Sequence, residues 1–101
     1  MKFAFHPEAD EEFHAAIDYY ERCEFGLGQD FSLEIYATIQ NIVSYPMAWP
    51  ILDSDVRRCI CHRFPYGILY SIEPDVIYIL SVMNLHRHPD SWQHRITPQV
   101  P

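Results

Sequence analysis

The chain is almost without lysine: Lys2 is the only one among 101 residues. Its seven cations, the other six all arginine, face fourteen carboxylates, for a formal net charge of −7. A balance that acidic disfavours non-specific nucleic-acid binding, which depends on a broad basic surface. Cysteine is scarce and odd in number, with only Cys23, Cys59 and Cys61. That pattern suits reduced thiols and a cytoplasmic setting better than a disulfide framework. Cys59 and Cys61 stand two apart in what reads as a strand, where pairing them would strain the backbone. No run approaches the roughly 20 apolar residues of a membrane span. The N-terminal Met1-Lys2-Phe3-Ala4-Phe5-His6-Pro7-Glu8 turns acidic too early for a secretion signal. Repeats, linkers and low-complexity segments are absent too, so one domain over residues 1–101 with one core is expected.

What is present is apolar and aromatic: 49% hydrophobic and 15% aromatic residues, well outside the disordered range. The charge is unevenly spread. Residues 1–51 hold Lys2 and Arg22 against nine carboxylates. Residues 52–101 hold Arg57, Arg58, Arg63, Arg87 and Arg95 against five, with His62, His86, His88 and His94. Any anion site is therefore expected in the second half.

Residues 2–6 alternate and predict a short strand. Pro7 suits the first position of a helix, and Glu8, Asp10, Glu11 and Glu12 complement its dipole. Ala9, Phe13, Ala16, Ile17 and Tyr20 keep the spacing of one apolar face through about Glu24. Gly26 offers a left-handed cap, and a second helix runs from about Gln29 to Ser44 on Phe31, Ile35, Ile39, Ile42 and Val43. The two form an antiparallel hairpin. Residues 45–55 read as a loop, and strands are expected at 56–63, 66–72 and 76–82. The last strand is almost continuously apolar and is expected at the centre of the sheet. The fold expected is α+β, in the order β-α-α-β-β-β, with a helical hairpin on a small antiparallel sheet.

On these elements lie Gly26-Leu27-Gly28-Gln29-Asp30-Phe31, then Arg57-Arg58 with Arg63-Phe64-Pro65-Tyr66, then Val82, Arg87, Pro89, Trp92 and Arg95, three motifs that together resemble the RelE/ParE toxin family. Phe25-Gly26-Leu27-Gly28-Gln29-Asp30-Phe31 is similar to the family's Gly-Leu-Gly-x-x-Phe helix junction. Arg57-Arg58, then Arg63-Phe64-Pro65-Tyr66 with Ile68 and Tyr70, resembles its arginine strand and hairpin. Val82, Arg87, Pro89, Trp92 and Arg95 resemble its C-terminal signature. The resemblance implies a toxin held in check by an antitoxin that wraps its sheet and helices. It implies one of two activities: ribosome-dependent mRNA cleavage, as in RelE-like members, or binding of DNA gyrase without cleavage, as in ParE-like members.

Metal-free RNA cleavage needs cations around the phosphate and groups that move protons. Arg58, Arg63 and Arg87 are candidate clamps, because the guanidinium fork holds two phosphate oxygens. His86, His88 and Tyr66 are candidate proton carriers. If the chain is a nuclease, its catalytic residues are expected to be Arg63, Arg87, His86 and Tyr66. Against that, ribosome-dependent relatives are rich in lysine, and here Asn84 and Ser91 stand where many of them carry histidine and tyrosine. The ParE-like reading is therefore preferred, with Arg58, Arg63, Tyr66, Arg87, Trp92 and Arg95 as the expected binding residues. A relative that has lost toxicity and only binds antitoxin is a third reading.

Structural roles compete with each of these assignments. Arg57 and Arg63 share one strand parity and Arg58 the other, so one set could serve as salt bridges to the acidic helices. Phe64-Pro65-Tyr66 reads as a hairpin and core device, Trp92 as a packing anchor, and Phe13, Tyr20 and Phe31 as core. Cys59-x-Cys61-His62 and His86-x-His88 resemble metal ligands. On a strand, however, His62 faces away from the two thiols, so neither a metal nor any other cofactor is expected.

Overall fold

In a computed structural model, residues 2–86 and 92–96 are described. Arg87, His88, Pro89 and Ser91, on which part of the C-terminal signature rests, lie outside the described residues. The order is β1 (Lys2–Phe5), α1 (Pro7–Cys23), α2 (Leu27–Ser44), β2 (Ile51–Asp53), β3 (Val56–Ile60), β4 (Tyr66–Glu73) and β5 (Val76–Asn84), then a 3-10 turn at Gln93–Arg95. The five strands form one sheet ordered β1-β5-β4-β3-β2.

Helix α1 starts as its sequence dictates. Pro7 occupies the first turn and His6 caps it, its Nδ1 accepting the Glu8 N–H at 3.0 Å. The helix stops at Cys23, and Gly26 takes the left-handed conformation at φ 87° that lets α2 fold back on α1. Glu21 secures the junction by accepting the N–H groups of Gly26 and Gly28 at 2.9 and 3.0 Å.

Two details of the sheet depart from the sequence reading. The segment 45–55 is not loop throughout: Ile51–Asp53 pairs with β3 as a short edge strand, reached through a register shift. And β1 runs parallel to β5, while β2 to β5 are antiparallel to one another, so the sheet is mixed. The meander explains this, because its third turn of direction restores the direction of β1. The central position expected for the apolar strand holds: β5 lies between β1 and β4 and is buried over Ile79–Met83.

The sheet is covered on both faces. The helical hairpin packs Phe13, Phe31, Ile35, Ile39 and Ile42 on Ile68, Tyr70, Ile77 and Ile79. Across the sheet, Trp92 closes a second cluster over Val56, Leu69, Leu80 and Met83. The residue after Ile79 is unopposed by β4, so Leu80 forms a bulge between the Tyr70–Ile79 and Leu69–Ser81 pairs. Among the described residues, no helix is long and apolar enough to cross a membrane.

Candidate functional site

Strand parity separates the two arginines of β3. Arg57 donates to the carbonyls of Trp49 and Met47 at 2.6 and 3.3 Å, tying the α2–β2 connection to β3. Arg58 pairs in register with Leu69 and lies on the face opposite the helices. The Arg58 stem runs past Gly67, where an added Cβ would meet Arg58 Cγ and Cδ at an ordinary contact distance of 3.5 Å and the Leu85 side chain more tightly at 3.3 Å. Arg58 carries no ion pair among the described residues.

Arg63 lies beyond β3 and turns toward α2. Its guanidinium reaches Asp30 at 3.2 Å and stands 5.2 Å from the Phe64 ring centre, and its backbone N–H donates to Glu34 at 2.7 Å. Of the Arg57–Arg63 parity set only Arg63 meets an acidic helix, and it does so from beyond β3, which ends at Ile60 and not at residue 63 as expected. Neighbouring Tyr66 sinks into the aromatic core, 4.9 Å from the Phe31 ring and 6.1 Å from that of Tyr20.

Arg95 is built into the structure. Only 7% exposed, it donates to Glu12 at 2.8 Å and to the Leu80 carbonyl at 3.2 Å, while its Nε stands 3.5 Å from Glu8. The same Glu12 oxygen accepts the Ser81 hydroxyl at 2.9 Å and the Val82 N–H at 3.0 Å. This cluster stitches α1, β5 and the C-terminal turn together where β1 has ended. Trp92, 2% exposed, takes the packing-anchor role weighed for it against a binding one.

Between α1 and the last part of β5 opens a groove of about 720 Å³. Ala15, Ala16 and Tyr19 form its helical wall, Val82 and Asn84 its strand wall, and Tyr66 and His86 its far end. Burial pushes the Tyr20 phenol on this groove above its ordinary range, with Tyr66 adding to the effect. That hydroxyl therefore remains protonated near neutrality. His86 is exposed, its backbone N–H held by the Asn84 side chain at 2.8 Å.

The predicted patch is therefore divided. Tyr66, His86 and Arg95 line one groove; Arg63 stands at the start of α2, Arg58 on the opposite face, and Arg87 outside the described residues. The groove's helical wall and Glu12 were missed by sequence reading, which gave Glu12 only a dipole role. The signal available was Ser81, a lone polar residue inside an apolar strand and buried completely. Cys59 and Cys61 point into the core: Cys61 Sγ is 3.7 Å from Thr38 Oγ1, and burial pushes the Cys59 thiol up to about 11. Among the described residues no cluster of three metal-ligating side chains forms.

Residues 3–89 match a family model described as the ParE toxin of the type II toxin–antitoxin system parDE. A chain from a solved structure of the chromosomal ParDE toxin–antitoxin system of P. aeruginosa is similar in fold, with a TM-score of 0.71 at 19% identity. That similarity covers 85% of this chain and 97% of the other. No curated protein sequence matches.

Proposed function

Because the chain belongs to the ParE family of toxins of type II toxin–antitoxin systems, we propose that it arrests growth by binding DNA gyrase in the cytoplasm, and that a cognate antitoxin neutralises it by direct contact. The observation that carries the choice of a binder over a nuclease is the separation of the arginines. Phosphate cleavage requires cations and proton carriers converging on one phosphorus. Here Arg63 is drawn to Asp30, Arg95 is committed to Glu12 and Leu80, and Arg58 lies across the sheet from Tyr66. The groove retains Tyr66 and His86 as proton carriers, but its one described arginine is already neutralised by a carboxylate.

Controlled expression of the chain alone in bacteria tests this. The expected result is growth arrest with altered plasmid supercoiling and intact mRNA, relieved by co-expressing the antitoxin. Arrest with codon-positioned mRNA cuts would assign the ribosomal activity instead. Growth without arrest would leave antitoxin binding as the surviving role.

A further inference from the structure

Strand β2 ends the sheet. It has β3 on one side and, among the described residues, no strand on the other. All of Ile51–Asp53 is exposed, Ile51 at 54% and Leu52 at 41%. One bond fixes the direction of its backbone groups: the Arg58 N–H donates to the Pro50 carbonyl at 3.3 Å, so that carbonyl points toward β3. In an antiparallel ladder successive residues direct their polar groups alternately toward the neighbouring strand and away from it. Ile51, paired in register with Arg57, therefore turns both its N–H and its carbonyl outward. The N–H that Pro50 lacks falls on the β3 side, so the proline does not blunt this edge. A donor and an acceptor on one exposed edge residue are what a further strand takes up.

The surface around Ile51 is apolar and uncharged. Arg57 holds the Met47 and Trp49 carbonyls and so brings the connection from α2 alongside Ile51 on the hairpin side of the sheet. In that connection Tyr45 is 68% and Met47 74% exposed. No charged residue occurs between Glu34 and Asp53, in a chain whose net charge is −7. Two copies of so acidic a chain repel one another over most of their surface, and least where this stretch is exposed. A basic partner is drawn to the helices instead, where residues 7–44 hold nine carboxylates against Arg22 alone.

The other face of the edge is self-complementary. Asp53 pairs in register with Val56, on the Trp92 side of the sheet, and Gln93 reaches its carboxylate there at 3.4 Å. Arg58 lies on the same side without an ion pair among the described residues. If two copies are joined by a two-fold axis at Ile51, Asp53 of one falls beside Pro50 of the other, and Arg58 of that second copy stands one strand farther in. The separation is two strand spacings, about 10 Å between backbones, which an arginine and an aspartate side chain together span. The axis makes the contact twice.

We propose that the free edge of β2 is the interface between two copies of this chain. Ile51 meets Ile51 about a two-fold axis, each N–H donating to the other's carbonyl, and the sheet continues from one copy into the next. Ile51, Met47 and Tyr45 of both copies close over the hairpin side of the seam, and two reciprocal Asp53–Arg58 pairs close the Trp92 side. Both helical hairpins then lie on one side of the joined sheet, and the groove beside α1 stays open at the far end of each copy.

Sedimentation of the purified chain over a range of concentrations tests this, with amide exchange followed at Ile51. The expected result is a dimer whose fraction rises with concentration, and an Ile51 amide whose protection rises with it. Ile51→Lys places two like charges on the axis and is expected to raise the dimer dissociation constant at least about a hundredfold, about tenfold for each copy, at unchanged melting temperature. The charge pairs are tested by exchange. Asp53→Arg and Arg58→Asp are each expected to weaken the dimer about tenfold or more, and the double variant to restore it to within about threefold of wild type. That rescue distinguishes a contact between copies from damage to the fold. A wild-type chain that stays monomeric at every concentration overturns the proposal. So does an Ile51→Lys chain that dimerises like wild type, or a double exchange that fails to restore what the single ones remove. Protection of the Ile51 amide that appears only on adding the antitoxin or gyrase overturns it as well, by assigning the edge to that partner.

Discussion

Two ion-paired arginines in this fold differ in what their burial makes of them. The Arg63–Asp30 pair is exposed, at 57% and 46%, and water screens it strongly. Arg63→Ala is expected to lower stability by less than about 1 kcal/mol in denaturant unfolding. Arg95 is 7% exposed against a Glu12 that is 28% exposed, and its removal leaves the carboxylate and the Leu80 carbonyl without their cation. Arg95→Met is expected to cost about 2–3 kcal/mol, somewhat below the range for fully buried pairs. Near-equal losses for the two variants would contradict the structural assignment of Arg95.

Titration separates other residues. The hydrogen bond from His94 holds the exposed Glu8 carboxyl below its ordinary 4.5. A depressed acid contributes stability above its unfolded pKa and loses it as pH falls through the folded one. His94→Ala should therefore flatten the loss of melting temperature below pH 4.5. For Cys59 the sign is reversed. Burial, with Cys61 beside it, raises the thiol from 9.0 to about 11, so its contribution is intact below 9.0 and fades as pH climbs from there. At about pH 8, where thiolate content sets the rate, the exposed Cys23 should react promptly with a thiol reagent, and Cys59 and Cys61 only after unfolding. Rapid reaction of all three in the native protein would contradict the buried placement.

At the scale of elements, the helix junction is the tightest constraint. A Cβ on Gly28 would lie 2.6 Å from the Ile17 carbonyl, which is backbone and cannot move aside cheaply. Gly28→Ala is expected to destabilise by about 1–3 kcal/mol. Gly26→Ala meets no atom within 4 Å, and its penalty is that of the left-handed backbone alone, about 1–2 kcal/mol. Ordering of the two losses by thermal melts checks the packing of α1 on α2.

Both helices were legible because Pro7, Gly26 and the 3–4 spacing of Phe31, Ile35, Ile39 and Ile42 all act locally. Strand β2 was not, since Ile51–Asp53 is exposed along its length and owes its conformation to pairing with β3. The direction of β1 relative to β5 was hidden for the same reason: pairing across some seventy positions leaves no local pattern. Parity did separate Arg58 from Arg57, though not which of them faces the hairpin. It could not show that Arg63, past the end of β3, turns to Asp30, nor that Glu12 reaches Arg95.

For the molecule as a whole, one side of the sheet carries the acidic hairpin and the other the Trp92 cluster with Arg58. Overall fold and family followed from three ordered motifs, whereas the site did not, because it is an assembly of distant parts. Tyr66 and His86 reach the groove from a hairpin and a strand end, and Ala15, Ala16 and Tyr19 reach it from a helix whose buried stripe masks its outer wall. Trp92, anchoring the C-terminal turn on the far face, should be among the most damaging truncations: Trp92→Ala is expected to cost about 3–5 kcal/mol and to free the Glu12–Arg95 clasp.

The measurement that reaches the central claim most directly is DNA supercoiling by purified gyrase in the presence of the purified chain, with an mRNA-programmed ribosome reaction run alongside. The account predicts inhibition that saturates with added chain, is lifted by the antitoxin, and leaves the mRNA uncut. Full gyrase activity together with cleavage of ribosome-bound mRNA would contradict it.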